Sequence, residues 1–178
     1  MRNLYIDFDG VVCNSIEVTY KMMEEEGIDR SNFNECEAYY RRLDWNEVLS
    51  RVHIINDSIE CIRKIVDSHK FDVAILTHVN SINEIVAKVN FISEYFPDLT
   101  LISVPKEISK TKMVCTKGAI LIDDFPQNLI EWKNEGGYGV RFDLDMDGKG
   151  FPVIDRLDQI LTLSLIHISE PTRLALIA

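Results

Sequence analysis

The chain alternates between short apolar runs and longer stretches with helical spacing. Leu4 to Phe8 (LYIDF) reads as a brief buried strand. From Asn14 to about Gly27 the apolar positions Ile16, Tyr20, Met22 and Met23 fall at helical spacing, and Glu24-Glu25-Glu26-Gly27 mark a solvated end. Residues 29 to 52 carry Phe33, Tyr39, Tyr40, Leu43, Trp45, Val48, Leu49 and Val52 without period-two alternation, which predicts further helix. Ile59, Ile62, Ile65 and Val66 then share one face of another helix.

Beyond residue 70 the pattern changes. Asp72–Leu76 (DVAIL) predicts a strand running into Thr77, and Ser81–Phe96 a helix with Ser81 as N-cap and Glu84 as its capping-box partner. Leu99–Val104 reads as a strand and Ser109 to about Cys115 as a short helix. Ala119–Ile122 (AILI) is a strand running into Asp123-Asp124. Gln127–Glu135 is a helix closed by Gly136-Gly137, Tyr138–Phe142 a strand and Ile154–Leu161 a last helix. Strands made of near-continuous apolar runs, separated by helices, predict an α/β fold with a parallel sheet covered on both faces. The first strand belongs to that sheet. The helical stretch 14–69 is then an insertion, expected to form a small helical cap over the carboxyl ends of the strands, with residues 1–13 and 70–162 as the core.

Composition narrows the class. The chain has 178 residues, 46% hydrophobic and 27% charged, which excludes a disordered or collagen-like polymer. No apolar run reaches the roughly 18 residues of a membrane span, and the opening residues lack the apolar core of a signal peptide. A cytoplasmic protein with no membrane partner is therefore expected. The formal charge of -10 argues against a nucleic-acid polymer as partner. Cys13, Cys36, Cys61 and Cys115 form no C-x-x-C pair and read as reduced, buried thiols.

Candidate chemistry sits at four strand ends. Asp7-Phe8-Asp9-Gly10 puts two carboxylates on one side of an extended segment, next to a residue that permits a sharp turn. Thr77 and His78 follow the DVAIL strand, Lys106, Lys110 and Lys112 surround a short helix, and Asp123-Asp124 follow AILI. Alone, a D-x-D is most often a turn, a strand-end threonine is ordinary, and a lysine cluster is most often a solvated face. Their order, each at a carboxyl end, converges on one crevice.

On these residues the chain resembles the haloacid dehalogenase superfamily of phosphohydrolases. LYIDFDGVV is similar to its first motif, VAILT to its second, the Ser109-Lys110 lysine to its third and AILIDD to its fourth. The insertion after DFDGVV, together with IDDFPQN, is similar to the small 5'-(deoxy)nucleotidase-like branch. The resemblance implies a three-layer Rossmann-like core and a phosphomonoesterase, with a nucleoside monophosphate or another small phosphorylated metabolite as substrate. It implies Asp7 as nucleophile, Asp9 as general acid and base, and Thr77, His78 and Lys110 on the phosphate, with Lys106 as the alternative lysine. It implies Mg²⁺ held by the Asp7 side chain, the Asp9 carbonyl and Asp124, with Asp123 as its substitute or support. A phosphotransferase, a dehalogenase and a noncatalytic binding protein are the other readings of this scaffold. The acid pair Asp123-Asp124 counts against the dehalogenase.

Two features stand apart. Asp143-Leu144-Asp145-Met146-Asp147-Gly148 begins like an EF-hand loop, but its twelfth position is Ile154, so a solvated loop is expected. Residues 163–173 (LSLIHISEPTR) resemble one reading frame of a transposase adapter used in sequencing libraries. On that reading 163–178 is a non-native tail and His167 has no role.

Overall fold

A computed structural model describes residues 1–163; the tail reading therefore lies outside the described residues apart from Leu163. The elements in chain order are β1 (Arg2–Ile6), α1 (Ser15–Glu25), α2 (Phe33–Arg42), α3 (Trp45–Arg51), α4 (Ser58–Asp67), β2 (Phe71–Val79), α5 (Ile82–Tyr95), β3 (Thr100–Pro105), β4 (Ile120–Asp123), α6 (Pro126–Asn134), β5 (Tyr138–Phe142) and β6 (Val153–Ile154). Single 3-10 turns cover Lys110–Lys112 and Leu157–Leu161.

The six strands form one sheet in the order β3-β2-β1-β4-β5-β6, and every pairing is parallel. Alternation along the strands divides the core into two layers. Leu4, Ile6, Ile75, Ile120 and Ile122 face the side covered by Cys61, Ile62 and Ile65 of α4 and Ile92 of α5. Tyr5, Ala74, Leu76 and Leu121 face the other side, covered by Leu129 and Trp132 of α6. The Trp132 indole N–H donates to the Ala119 carbonyl at 3.1 Å, so this large ring is buried with its polar atom satisfied. Strand order reverses between β1 and β4, and in an open α/β sheet the crevice at such a reversal is where ligands bind.

The cap is smaller than the helical pattern predicts. Val18, Met22, Met23, Tyr39, Leu43, Trp45 and Val48 of α1–α3 pack into a separate cluster together with Ala87 of α5. α4 instead buries Cys61, Ile62 and Ile65 against the sheet. α4 thus packs with the sheet layer and apart from α1–α3, because helical periodicity does not say which layer a helix covers. The last helix starts later than expected. Val153 and Ile154 pair with β5 as a sixth strand, and only a 3-10 turn follows. Cys13 and Cys61 are buried, as expected, but Cys115 is exposed and Cys36 partly so. Among the described residues no helix is long and apolar enough to cross a membrane.

Candidate active site

Asp7 sits just past β1. Its backbone N–H still donates to the Ile122 carbonyl of β4 at 2.9 Å, so the sheet ladder fixes where its side chain starts. The Asp7 Oδ1 accepts from the Phe8 N–H at 2.8 Å and from Lys110 Nζ at 2.8 Å. Lys110 also donates to Asp123 Oδ2 at 2.7 Å and is 2% exposed, so one buried ammonium bridges the ends of β1 and β4. Asp123 is held further by the Asn128 amide, at 3.1 and 2.9 Å to its two oxygens, and by the Phe125 N–H at 2.9 Å.

Asp124 differs from its neighbour. Among the described residues its carboxylate accepts no hydrogen bond, and one oxygen from each of Asp7, Asp123 and Asp124 shares a small space, the three within 4.8 Å of one another. Gly10 opens that space. It adopts φ +72°, and a Cβ there would overlap Asp124 Oδ2. Gly10→Ala is expected to lower the melting temperature by roughly 2–8 °C, from about 1–2 kcal/mol of left-handed backbone cost at about 2–4 °C per kcal/mol for a chain of this size. It is also expected to displace Asp124. Thermal melts with and without Mg²⁺ check both, and an unchanged Mg²⁺ response would show that Asp124 needs no such opening.

Asp9 points elsewhere. Its Oδ1 accepts from the Ser15 hydroxyl at 2.6 Å, and its Oδ2 from Lys88 Nζ at 2.6 Å and the Thr77 hydroxyl at 3.3 Å. Lys110, not Lys106, is the lysine brought to Asp7, while Lys106 lines the cavity above it. His78 lines the same cavity, its Nε2 lying 3.0 Å from the Ile108 carbonyl.

The electrostatics follow from burial. Burial pushes the Asp7 carboxyl up to about 7, with Lys110 opposing the rise and Asp123 and Asp9 adding to it. Burial together with Asp7, Asp123 and Asp9 pushes Asp124 up to about 8. Burial acts the same way on Asp9, but Lys88, Ser15 and Lys110 outweigh it and hold its carboxyl below the usual range. Burial and the Lys110 charge push the His78 imidazole down.

Four residues that hold the site's carboxylates escape sequence reading as site residues: Lys88 and its partner Glu84, Ser15 and Asn128. Two buried ammonium groups are thus paired, Lys88 with Asp9 and Glu84 and Lys110 with Asp7 and Asp123. Carboxyl groups remain in excess of ammonium groups, and Asp124 has no cationic partner among the described residues. A hard divalent cation with a preference for oxygen suits this donor set. The Asp143 carboxylate, by contrast, is occupied by Arg141, at 2.6 Å, and by the loop N–H groups of Asp145 and Asp147.

No protein-family model matches the sequence, and no curated protein matches it either. Solved structures do match. A HAD phosphatase from Thermococcus onnurineus is 17% identical, with a TM-score of 0.62 over 91% of this chain and 97% of that one. A haloacid dehalogenase-like hydrolase from Xanthomonas campestris is 12% identical, with a TM-score of 0.62 over 94% and 96%. The HAD hydrolase YfnB of Bacillus subtilis, solved bound to magnesium, is 12% identical, with a TM-score of 0.59 over 93% and 98%. The fold is that of the HAD-superfamily hydrolases. At these identities the likeness is one of architecture, so chemistry has to be argued from the residues of the HAD-like crevice itself.

Proposed function

We propose that this chain is a magnesium-dependent phosphomonoesterase that works through a phosphorylated Asp7 and acts on a small substrate such as a nucleoside monophosphate. The observation that carries this reading is the convergence of Asp7, Lys110 and Asp124 at the ends of β1 and β4. The similarity in fold to HAD hydrolases, one of them a phosphatase and one bound to magnesium, supports it.

The residues divide the work. Asp7 attacks phosphorus, its carboxylate forming a bond as the bond to the leaving oxygen breaks, and Asp9, which ends each cycle carrying the proton of the attacking water, gives that oxygen a proton. Asp9 then takes a proton from water, which attacks the phosphorus of the acyl phosphate and releases phosphate and the Asp7 carboxylate. Lys110 holds Asp7 and, with Thr77 and His78, would place hydrogen-bond donors against the transferring oxygens. Mg²⁺, held by the Asp7 side chain, the Asp9 carbonyl and Asp124, would neutralise the charge that otherwise keeps carboxylate and phosphate apart. Asp123, already bonded to Lys110, Asn128 and the Phe125 N–H, supports from behind.

The nucleotide preference rests on the cavity. It measures about 350 Å³ and takes in Tyr20, Tyr40 and Trp45 of the cap as well as Asp7 and Asp124. Tyr39 and Trp45 belong to the cap's own core, whereas Tyr40 is only partly buried and Tyr20 is 40% exposed. Tyr40 thus presents ring surface on which a base can stack, whereas Arg30 already lies over the Tyr20 ring, 4.1 Å from its centroid. A panel of phosphate monoesters with Mg²⁺ is expected to show the highest kcat/KM on nucleoside monophosphates. Activity confined to sugar phosphates would remove the nucleotide and keep the phosphatase. No turnover of any monoester would leave a binding protein on this fold.

A further inference from the structure

Lys88, in the middle of α5, is fully buried, and its ammonium lies among four acceptors. These are Asp9 Oδ2 at 2.6 Å, Glu84 Oε1 at 2.7 Å, Thr77 Oγ1 at 3.1 Å and the His78 carbonyl at 3.1 Å. A buried charge persists only where partners replace the lost water. Here one partner, Glu84, lies one turn away on α5 and is itself fixed by the Asn80 N–H at 2.7 Å and the Asn80 amide at 3.2 Å. The Trp45 ring of the cap lies 4.7 Å from Lys88 Nζ, and the Phe8 ring 5.2 Å. Nothing in this packing leads the ammonium out to solvent, and two of its four acceptors belong to groups assigned to the reaction.

We propose that Lys88, braced by Glu84, is a positioning residue that sets the working orientation of the Asp9 carboxyl; this rests on the phosphatase reading above. Asp9 lies in the turn after β1, where the backbone alone leaves its carboxyl free to rotate. Ser15 on Oδ1 and Lys88 on Oδ2 hold opposite oxygens and so fix the plane of the group. Lys88 also donates to Thr77 Oγ1. That occupies a lone pair of the hydroxyl and leaves its proton to be given away, to Asp9 or to a phosphate oxygen. In the first half-reaction the phosphorus–oxygen bond breaks, its electron pair stays on the leaving oxygen, and that oxygen takes the proton from Asp9. A misaligned acid costs most where the leaving oxygen is strongly basic and little where it departs unaided.

That difference separates positioning from mere structural support. Lys88→Met leaves Glu84 buried without its partner, so the deciding variant is Glu84→Gln/Lys88→Met, which removes one charge of each sign. In this variant, with Mg²⁺, kcat/KM on a nucleoside monophosphate is expected to fall about 100-fold, within the range of general-acid contributions. On dinitrophenyl phosphate, whose leaving group needs no proton, it should fall less than about 5-fold. The ratio kcat/KM is the right readout because it stops at departure of the leaving group. Equal losses on both substrates, or no loss on either, would overturn the positioning role while leaving the phosphatase standing. A wild-type chain that turns over neither substrate would overturn the phosphatase reading and this inference with it.

Discussion

Asp7→Asn is expected to lower kcat on any phosphate monoester by at least about 10³-fold while the protein keeps its fold. An amide has the shape of the carboxylate but cannot form the acyl phosphate. The fold should survive for reasons visible around the residue. Lys110 keeps Asp123 as a partner at 2.7 Å, so no ammonium is orphaned. The substitution also removes one carboxyl from a crowded site in which burial already pushes Asp7 up to about 7. In metal-free buffer at pH 8 the variant should therefore melt no lower than wild type, and circular dichroism with thermal melts reads this directly. Acid-quenched wild type should yield phosphate covalently attached to the peptide that carries Asp7, and the variant none. Turnover above about a tenth of wild type would remove the nucleophile assignment.

The parts of this site that could be read in the sequence are those that lie at strand ends. A short apolar run followed by Asp, Thr or Asp-Asp is a local pattern, and parallel pairing brings such ends together once the alternation of strand and helix is recognised. That is why Asp7, Thr77 and Asp123-Asp124 could be named in advance. Lys88 could not be assigned so easily. Glu84 and Lys88 have the spacing of an exposed helical ion pair, and only the tertiary arrangement shows both buried. A signal does exist in retrospect. Glu84, Lys88 and Ile92 lie on one stripe of α5, so the charged pair interrupts an apolar face without leaving it. Glu84 is also adjacent to a cap: Ser81 accepts from the Glu84 N–H as expected, but the Glu84 side chain turns to Asn80 and Lys88. The misplacement of α4 has the same origin. Its apolar face is plain in the sequence, but an amphipathic helix that follows three others carries no local mark of the layer it covers.

Removing divalent metal should have the second large effect, and its pH dependence gives a sharper test than activity alone. Asp7 and Asp124 are pushed to about 7 and about 8 by burial and by their acidic neighbours, whereas in an unfolded chain such groups titrate near 3.9. Between about pH 4 and pH 8 the folded, metal-free protein thus holds protons that the unfolded chain has already released. These two groups therefore lower stability as pH rises through this window, and their large shifts outweigh His78, whose depressed imidazole acts the other way below about pH 6.5. In chelator the melting temperature should decline from pH 5.5 to pH 8. Mg²⁺ has to displace the same protons, so it should bind more tightly at pH 8 than at pH 6. Saturation at about 100 times the dissociation constant adds about 2.7 kcal/mol, or roughly 5–10 °C for a chain of this size. The Mg²⁺-induced rise should accordingly be larger at pH 8, and binding at pH 6.5 should release protons, which calorimetry in buffers of different ionisation enthalpy detects. Turnover should fall to background in chelator and return with Mg²⁺. A metal-free melting temperature that stays level or climbs toward pH 8, together with no response to Mg²⁺, would mean that Asp7, Asp123 and Asp124 are balanced within the protein itself; the metal would then have no place in the site.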